Sequence, residues 1–175
     1  TACTSGVRNI AMGSNSADAL TVGSDNLAIG YDAMGALGTV VSSQRNIAIG
    51  NFAMDGVSAL AATENVFIGY HSGGGSWTTA ASSYNVGIGN NSMDAAMNGA
   101  LNNTAVGYAA LGALIGADSN TAVGYGAGAS LTSGSNNTFI GRSAGSWDIN
   151  TSTGTQNTCI GETGNALTSG TNNTL

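Results

Sequence analysis

The pentapeptide Asn-x-Ala-Ile-Gly, with variation at its middle positions, returns from one end of the chain to the other. Complete copies begin at Asn9, Asn26, Asn46, Asn65, Asn85, Asn103, Asn120, Asn137 and Asn157, each closing on a Gly four residues later, and a tenth starts at Asn173. Counting that start, successive copies lie 16 to 20 residues apart. A period this short holds one small supersecondary unit that cannot bury a hydrophobic face alone, so the copies must stack, each touching only its neighbours. A single central core is excluded, and function has to be sought along the sides of a rod.

The surface of that rod carries little charge. Only 7% of the 175 residues are charged, with no Lys and three scattered Arg (Arg8, Arg45, Arg142), against about 25% in an ordinary globular domain. A formal charge of −6 without a basic cluster argues against a nucleic-acid partner, which needs grouped Lys and Arg. The longest apolar stretch, Ala109 to Ala117, is far short of the roughly 20 residues that cross a bilayer, so no membrane insertion is expected. Abundant Gly could signal disorder, but an aliphatic residue or Met precedes every motif Gly, and that regularity argues for order. Residues 1–8 read as a connection to a preceding region and 9–175 as one repeat domain with an unfinished tenth repeat. Neither end resembles the polar cap an open solenoid needs, so a segment of a longer polypeptide is expected.

Within each copy the residues one and three places after the Asn are apolar or Thr, the second is small or variable, and the fourth is Gly. Period-two alternation ending in Gly predicts a short strand and a turn. Three residues beyond the Gly stands a column of small residues, Ser16, Ala33, Ala53, Ser72, Ser92, Ala110, Ala127, Ala144 and Gly164, where backbone must pass close. A second apolar site follows at Leu20, Leu37, Val57, Trp77, Met97, Leu114, Leu131, Trp147 and Leu167 and suits a return strand. The expected fold is an all-β parallel solenoid of about nine coils, each coil strand, turn, strand, turn. Insertions such as Val40 to Gln44 and Thr78 to Tyr84 fall after the second site, where a loop can bulge without breaking the stack.

The motif residues Asn9, Asn26, Asn46, Asn65, Asn85, Asn103, Asn120, Asn137 and Asn157 read as a structural ladder, hydrogen-bonded along the axis and to turn backbone. Coils about 4.8 Å apart give a rod on the order of 43 Å long. Cys3 and Cys159 would then lie at opposite ends, beyond the roughly 7 Å a disulfide spans. So thin a coil buries little apolar area and leaves aliphatic side chains on its lateral faces, which predicts a homotrimer wrapped around one axis.

Chemistry is sparse. His71, the one histidine, has no recurring partner at triad or metal-ligand spacing and reads as a surface residue. Asp18, Asp55 and Asp94 share one place in alternate copies, too far apart to hold one Ca²⁺, and read as turn-stabilising. The Gly-rich runs at 73–75 and 124–128 lack the Lys of a phosphate loop. No catalytic, metal or cofactor residue is expected, and the chain reads as no enzyme. Aromatics are more informative. Tyr31, Tyr70, Tyr108 and Tyr125 each follow a motif Gly, Trp77 and Trp147 lie near the return strand, and these six are the expected receptor contacts, since amphipathic rings suit sugars at wet interfaces.

The Asn-x-Ala-Ile-Gly strand with its small residue and polar connection resembles the YadA-like head repeat of trimeric autotransporter adhesins. Asn103 to Leu111, reading Asn-Thr-Ala-Val-Gly-Tyr-Ala-Ala-Leu, is nearer still to repeats of phage and prophage tail fibres. The resemblance runs from Arg8 to Leu175 and implies a left-handed parallel β-roll, trimerised along its length with the motif strands near the three-fold axis. The spacing exceeds that of the regular adhesin repeat. A virion tail fibre supporting host attachment, with neighbouring fibre domains and a host surface glycan or receptor as partners, is the expectation. The alternatives are an extracellular adhesin on a bacterial cell surface and an ice-binding solenoid. The Thr column at Thr104, Thr121, Thr138, Thr158 and Thr174 suggests the last, although earlier copies carry aliphatic residues there.

Overall fold

Every complete motif copy forms a three-residue strand: β1 (Ile10–Met12), β2 (Leu27–Ile29), β3 (Ile47–Ile49), β4 (Val66–Ile68), β5 (Val86–Ile88), β6 (Thr104–Val106), β7 (Thr121–Val123), β8 (Thr138–Ile140) and β9 (Thr158–Ile160). The computed structural model describes residues 5–36, 43–56, 61–146, 153–162 and 171–174. The nine strands pair in parallel, in chain order and in motif register, so the chain is an all-β solenoid built on one sheet. Each strand is short because both ends are turned corners. The motif Gly has φ between 104° and 138°, which L residues avoid, and a Cβ on Gly89 would lie 2.5 Å from the carbonyl oxygen of Gly107 in the next coil. The residue before the motif Asn and those two and four places after the motif Gly also adopt positive φ, for example Glu64, His71 and Gly73 in one coil. That local strain is offset by axial bonds, as when the N–H groups of Glu64 and His71 donate to the carbonyls of Gln44 and Asn51.

The sense of the strands is the reverse of an ordinary half-buried strand. The middle residue points inward, with Ala28, Ala48, Phe67, Ala105, Ala122, Phe139 and Cys159 all buried, while the aliphatic or Thr residues on either side face outward. The interior is thin, and in most coils the inward strand residue is matched in size by the residue six places later; Ala122 with Gly128 is an exception, because the Phe139 and Leu111 side chains of the neighbouring coils come within 2.7 and 2.8 Å of a Cβ placed on Gly128. Ala28, Ala48 and Ala105 face Met34, Met54 and Leu111, all fully buried. Where the strand carries a ring, the turn carries Gly: a Cβ on Gly73 would lie 2.7 Å from the Phe67 ring, and one on Gly145 would lie 2.4 Å from that of Phe139. The small column is buried from Ser16 to Ala144, as close backbone approach requires.

The return strand is not formed. Leu20, Trp77, Met97, Leu114 and Leu131 are buried in the core, but they lie in irregular backbone and isolated bridge positions, and among the described residues the nine motif strands are the whole sheet. The motif Asn helps to hold the return leg in place. Each Oδ1 accepts both the backbone N–H and the Nδ2–H of the next motif Asn, continuously from Asn9 to Asn173. Among the described residues, in seven copies, from Asn9 to Asn103 and at Asn137, the same Nδ2 also donates across the coil to a return-leg carbonyl, at 2.8 Å from Asn85 to Ala100 and 2.7 Å from Asn103 to Ala117. The return leg also carries its own axial backbone bonds, such as those from the N–H groups of Gln44 and Tyr84 to the carbonyls of Ala62 and Thr63, and isolated parallel bridges such as Ser24 to Gln44, so the side-chain amides add to backbone pairing that is too interrupted to make a second sheet. Cys3, Leu37, Val40 to Ser42, Val57, Trp147, Gly164 and Leu167 lie outside the described residues.

Candidate functional site

Two surfaces stand apart from the scaffold. The first is the outward face of the sheet, two lanes wide. One lane runs Leu27, Ile47, Val66 and Val86 and then changes to Thr104, Thr121, Thr138 and Thr158, continued by a bridge to Thr174. The other stays aliphatic from Ile29 to Ile160, with Ile88 38%, Ile140 41% and Ile160 59% exposed. Parallel sheets are ordinarily covered on both faces, so an aliphatic lane of this length without cover is unusual for a lone chain.

The second surface is the edge made by the turns after the motif Gly. Backbone bonds hold these turns in register, with the N–H of Phe52, His71 and Asn91 donating to the carbonyls of Tyr31, Asn51 and Tyr70. The turns therefore set out two columns along the axis, one of Tyr31, Asn51, Tyr70, Asn90, Tyr108 and Tyr125 and one that includes Asp32, Phe52, His71 and Asn91. Tyr31 and Tyr70 both meet the Phe52 ring edge-on, with centroids 5.2 and 6.0 Å away, and the His71 ring lies 5.8 Å from that of Tyr70. Tyr108 and Tyr125 stack on each other at 5.2 Å and 13°.

Four of the six expected contact residues, Tyr31, Tyr70, Tyr108 and Tyr125, are exposed on this edge. Trp77 is not. It is fully buried and packs edge-on against Phe67 at 5.8 Å, because it occupies the return-leg core column of Leu20 and Met97, which withdraws it from any receptor. Trp147 is outside the described residues. The sequence reading passed over Asn51 and Asn90, which aligning the copies on the motif Gly would have placed in the tyrosine column, and Phe52, which it would have placed in the column beside it.

His71 is half-buried and its Nδ1–H donates to Asp94, which also accepts from Asn91 Nδ2 at 3.0 Å. Asp55 sits beside this pair. Burial pushes its carboxyl above the usual carboxylate range; His71 opposes the shift, while Asp32 and Asp94 add to it. Asp18 is exposed. Among the described residues no three His, Cys, Asp or Glu side chains converge as a metal site. The arginines all face carboxylates on adjacent coils. Arg8 bonds Asp25 at 2.8 Å and holds it below the usual range, Arg45 meets Glu64 at 2.7 Å, and Arg142 pairs with Glu162. No helix among the described residues is long and apolar enough to cross a membrane. No protein-family model matches the chain, and no curated protein and no solved structure matches it either.

Proposed function

We propose that the chain is a structural segment of a homotrimeric fibre, of the kind found in phage tails, which carries neighbouring fibre domains and supports attachment to a host surface. The observation that carries this reading is the uncovered aliphatic lane of the sheet. Two further copies of the chain, strands turned to a common axis, would cover it, and a left-handed roll of the tail-fibre type is the corresponding geometry. A rod suits the task because its length grows with the number of repeats, while its sides keep the exposed tyrosines available for surface glycans. A bacterial cell-surface adhesin would use the same architecture, and neighbouring tail genes or a neighbouring outer-membrane anchor separate the two.

Sedimentation equilibrium tests the assembly. The chain is expected at three times its 17.1 kDa mass, and Ile68→Asp, which puts a charge in the aliphatic lane, is expected to dissociate it. A wild-type monomer refutes the proposal. The in-register Thr lane favours one other reading, an ice-binding face. Thermal hysteresis by the wild-type chain, lost on Thr121→Leu, would support it.

A further inference from the structure

We propose that the turn edge of the second to fifth repeats binds a linear glycan without acidic sugars, laid along the solenoid axis over Tyr31, Phe52 and Tyr70. The inference rests on the reading of this chain as an attachment fibre and adds the place and the chemical class of the ligand. A sugar ring offers an apolar C–H face and a rim of hydroxyls, so its site needs aromatic faces together with nearby donors and acceptors. This edge supplies both. Tyr31 is 44% and Tyr70 49% exposed, and Phe52 stands between them, so a ligand extended along the axis meets an aromatic ring at each of three consecutive coils.

The polar groups are already oriented. Asn51 Oδ1 accepts the Tyr31 N–H and Asn90 Oδ1 accepts the Tyr70 N–H, both at 3.0 Å. Each bond fixes an exposed carboxamide in the tyrosine column and leaves its Nδ2 to donate to a hydroxyl, with little side-chain freedom still to lose on binding. The Tyr108–Tyr125 pair is a weaker candidate because the two rings cover one another's faces.

Charge selects the class of glycan. Asp32, Asp55 and Asp94 face this edge, and the only cationic candidate beside them, His71, is already bonded to Asp94. The three Arg are paired with carboxylates elsewhere. Uronic and sialic acids would meet net repulsion, whereas neutral sugars would not and amino sugars would be attracted. The edge-on rings make a corrugated surface, unlike the flat strand lane that suits a second copy.

The test is an oligosaccharide array of neutral, amino and acidic glycans probed with the whole 175-residue chain, followed by calorimetric titration of the best binder. The expected result is binding to neutral or amino glycans, weakened about tenfold or more by Tyr70→Ala and by Asn51→Ala and unchanged by Tyr108→Ala. Three results overturn the inference: no glycan bound, acidic glycans preferred, or binding lost with Tyr108 and kept without Tyr70. Sedimentation of the same samples keeps the two readings distinguishable. A trimer that falls apart on Tyr70→Ala makes the ring a subunit contact, which sinks the glycan site and spares the fibre. A wild-type monomer that still binds does the reverse.

Discussion

Replacing Phe67 by Ala should empty the interior of the fourth coil, and replacing Gly73 by Met in the same chain should refill it. Phe67 is fully buried, and glycines flank its ring: a Cβ on Gly73 would come within 2.7 Å of it and one on Gly87 within 2.6 Å. Glycine has no side chain with which to collapse into a vacated space, so Phe67→Ala is expected to cost about 3–5 kcal/mol, towards the upper part of that range. Gly73→Met alone should also destabilise. Its Cβ would strike the ring, overpacking costs about 1–3 kcal/mol, and a side chain in the left-handed region adds about 1–2. The double variant reproduces the third coil, where Ala48 faces Met54 at φ 55° in the equivalent places. It should lie within about 2 kcal/mol of wild type, the remainder being the backbone cost at position 73, so the two changes should be non-additive by about 3 kcal/mol or more. Urea unfolding measures this, at one fixed protein concentration because association would make apparent stability concentration-dependent. Hydrogen exchange of the Val66–Ile68 amides gives a local readout. A double variant as unstable as the sum of the singles would refute the size-matching account of the core.

Three other perturbations probe the scaffold. Asn85→Ala leaves the buried Asn103 N–H without its acceptor, at about 1–3 kcal/mol, and takes from the Ala100 carbonyl its shorter bond while the Ser83 N–H remains, so the variant should unfold at markedly lower urea; Asn9→Ala, at the half-exposed end of the ladder, should cost less. Gly89→Ala should destabilise strongly through its clash with Gly107, whereas Ala109→Gly, at φ 53° and with Gly126 at its place in the next coil, should stabilise by about 0.5–1 kcal/mol, both read from thermal melts. Because burial raises the Asp55 carboxyl in the folded chain, ionisation there opposes folding once the pH exceeds the ordinary carboxylate range. Asp55→Asn should therefore stabilise at neutral pH and lose that advantage in acid, where the carboxyl is protonated in both states; an equal effect at about pH 3 and pH 7 would contradict the assignment.

The strands, their register and the Asn column could be read from the repeat because each depends on residues at a fixed distance from one Asn. Which side of the strand faces in could not. Alternation defines two faces, and the usual rule would send Ile47 and Ile49 inward and leave Ala48 outside. Here the coil has room for one large inward side chain, supplied either from the turn, as Met54 is opposite Ala48, or from the strand, as Phe67 is opposite Gly73. The pattern that reveals this, Ala28, Ala48 and Ala105 with Met or Leu against Phe67 and Phe139 with Gly six residues apart, spans the motif boundary and is invisible within a single copy. The return leg misled for a different reason. An apolar residue once per repeat fits a strand or a plug equally well, and Trp77, in a column with Leu20 and Met97, is a plug.

The division of labour inside one repeat follows from these constraints. The motif Asn, the motif Gly and the small column have every outward option removed: the first by its buried hydrogen bonds, the second by the next coil's carbonyl and the third by close-packed backbone. The two strand residues that point outward and the two that follow the motif Gly make no such bonds to the interior, and there the copies diverge, Val to Thr in the strand lane and Tyr to Asn, Arg or Glu at the turn. A solenoid built this way can alter its outer surface coil by coil without disturbing its stack. The Tyr31, Phe52 and Tyr70 run is one such local alteration, bounded by Ser14 on one side and Asn90 and Asn91 on the other, and under the glycan proposal its three coils would set the length of sugar chain held.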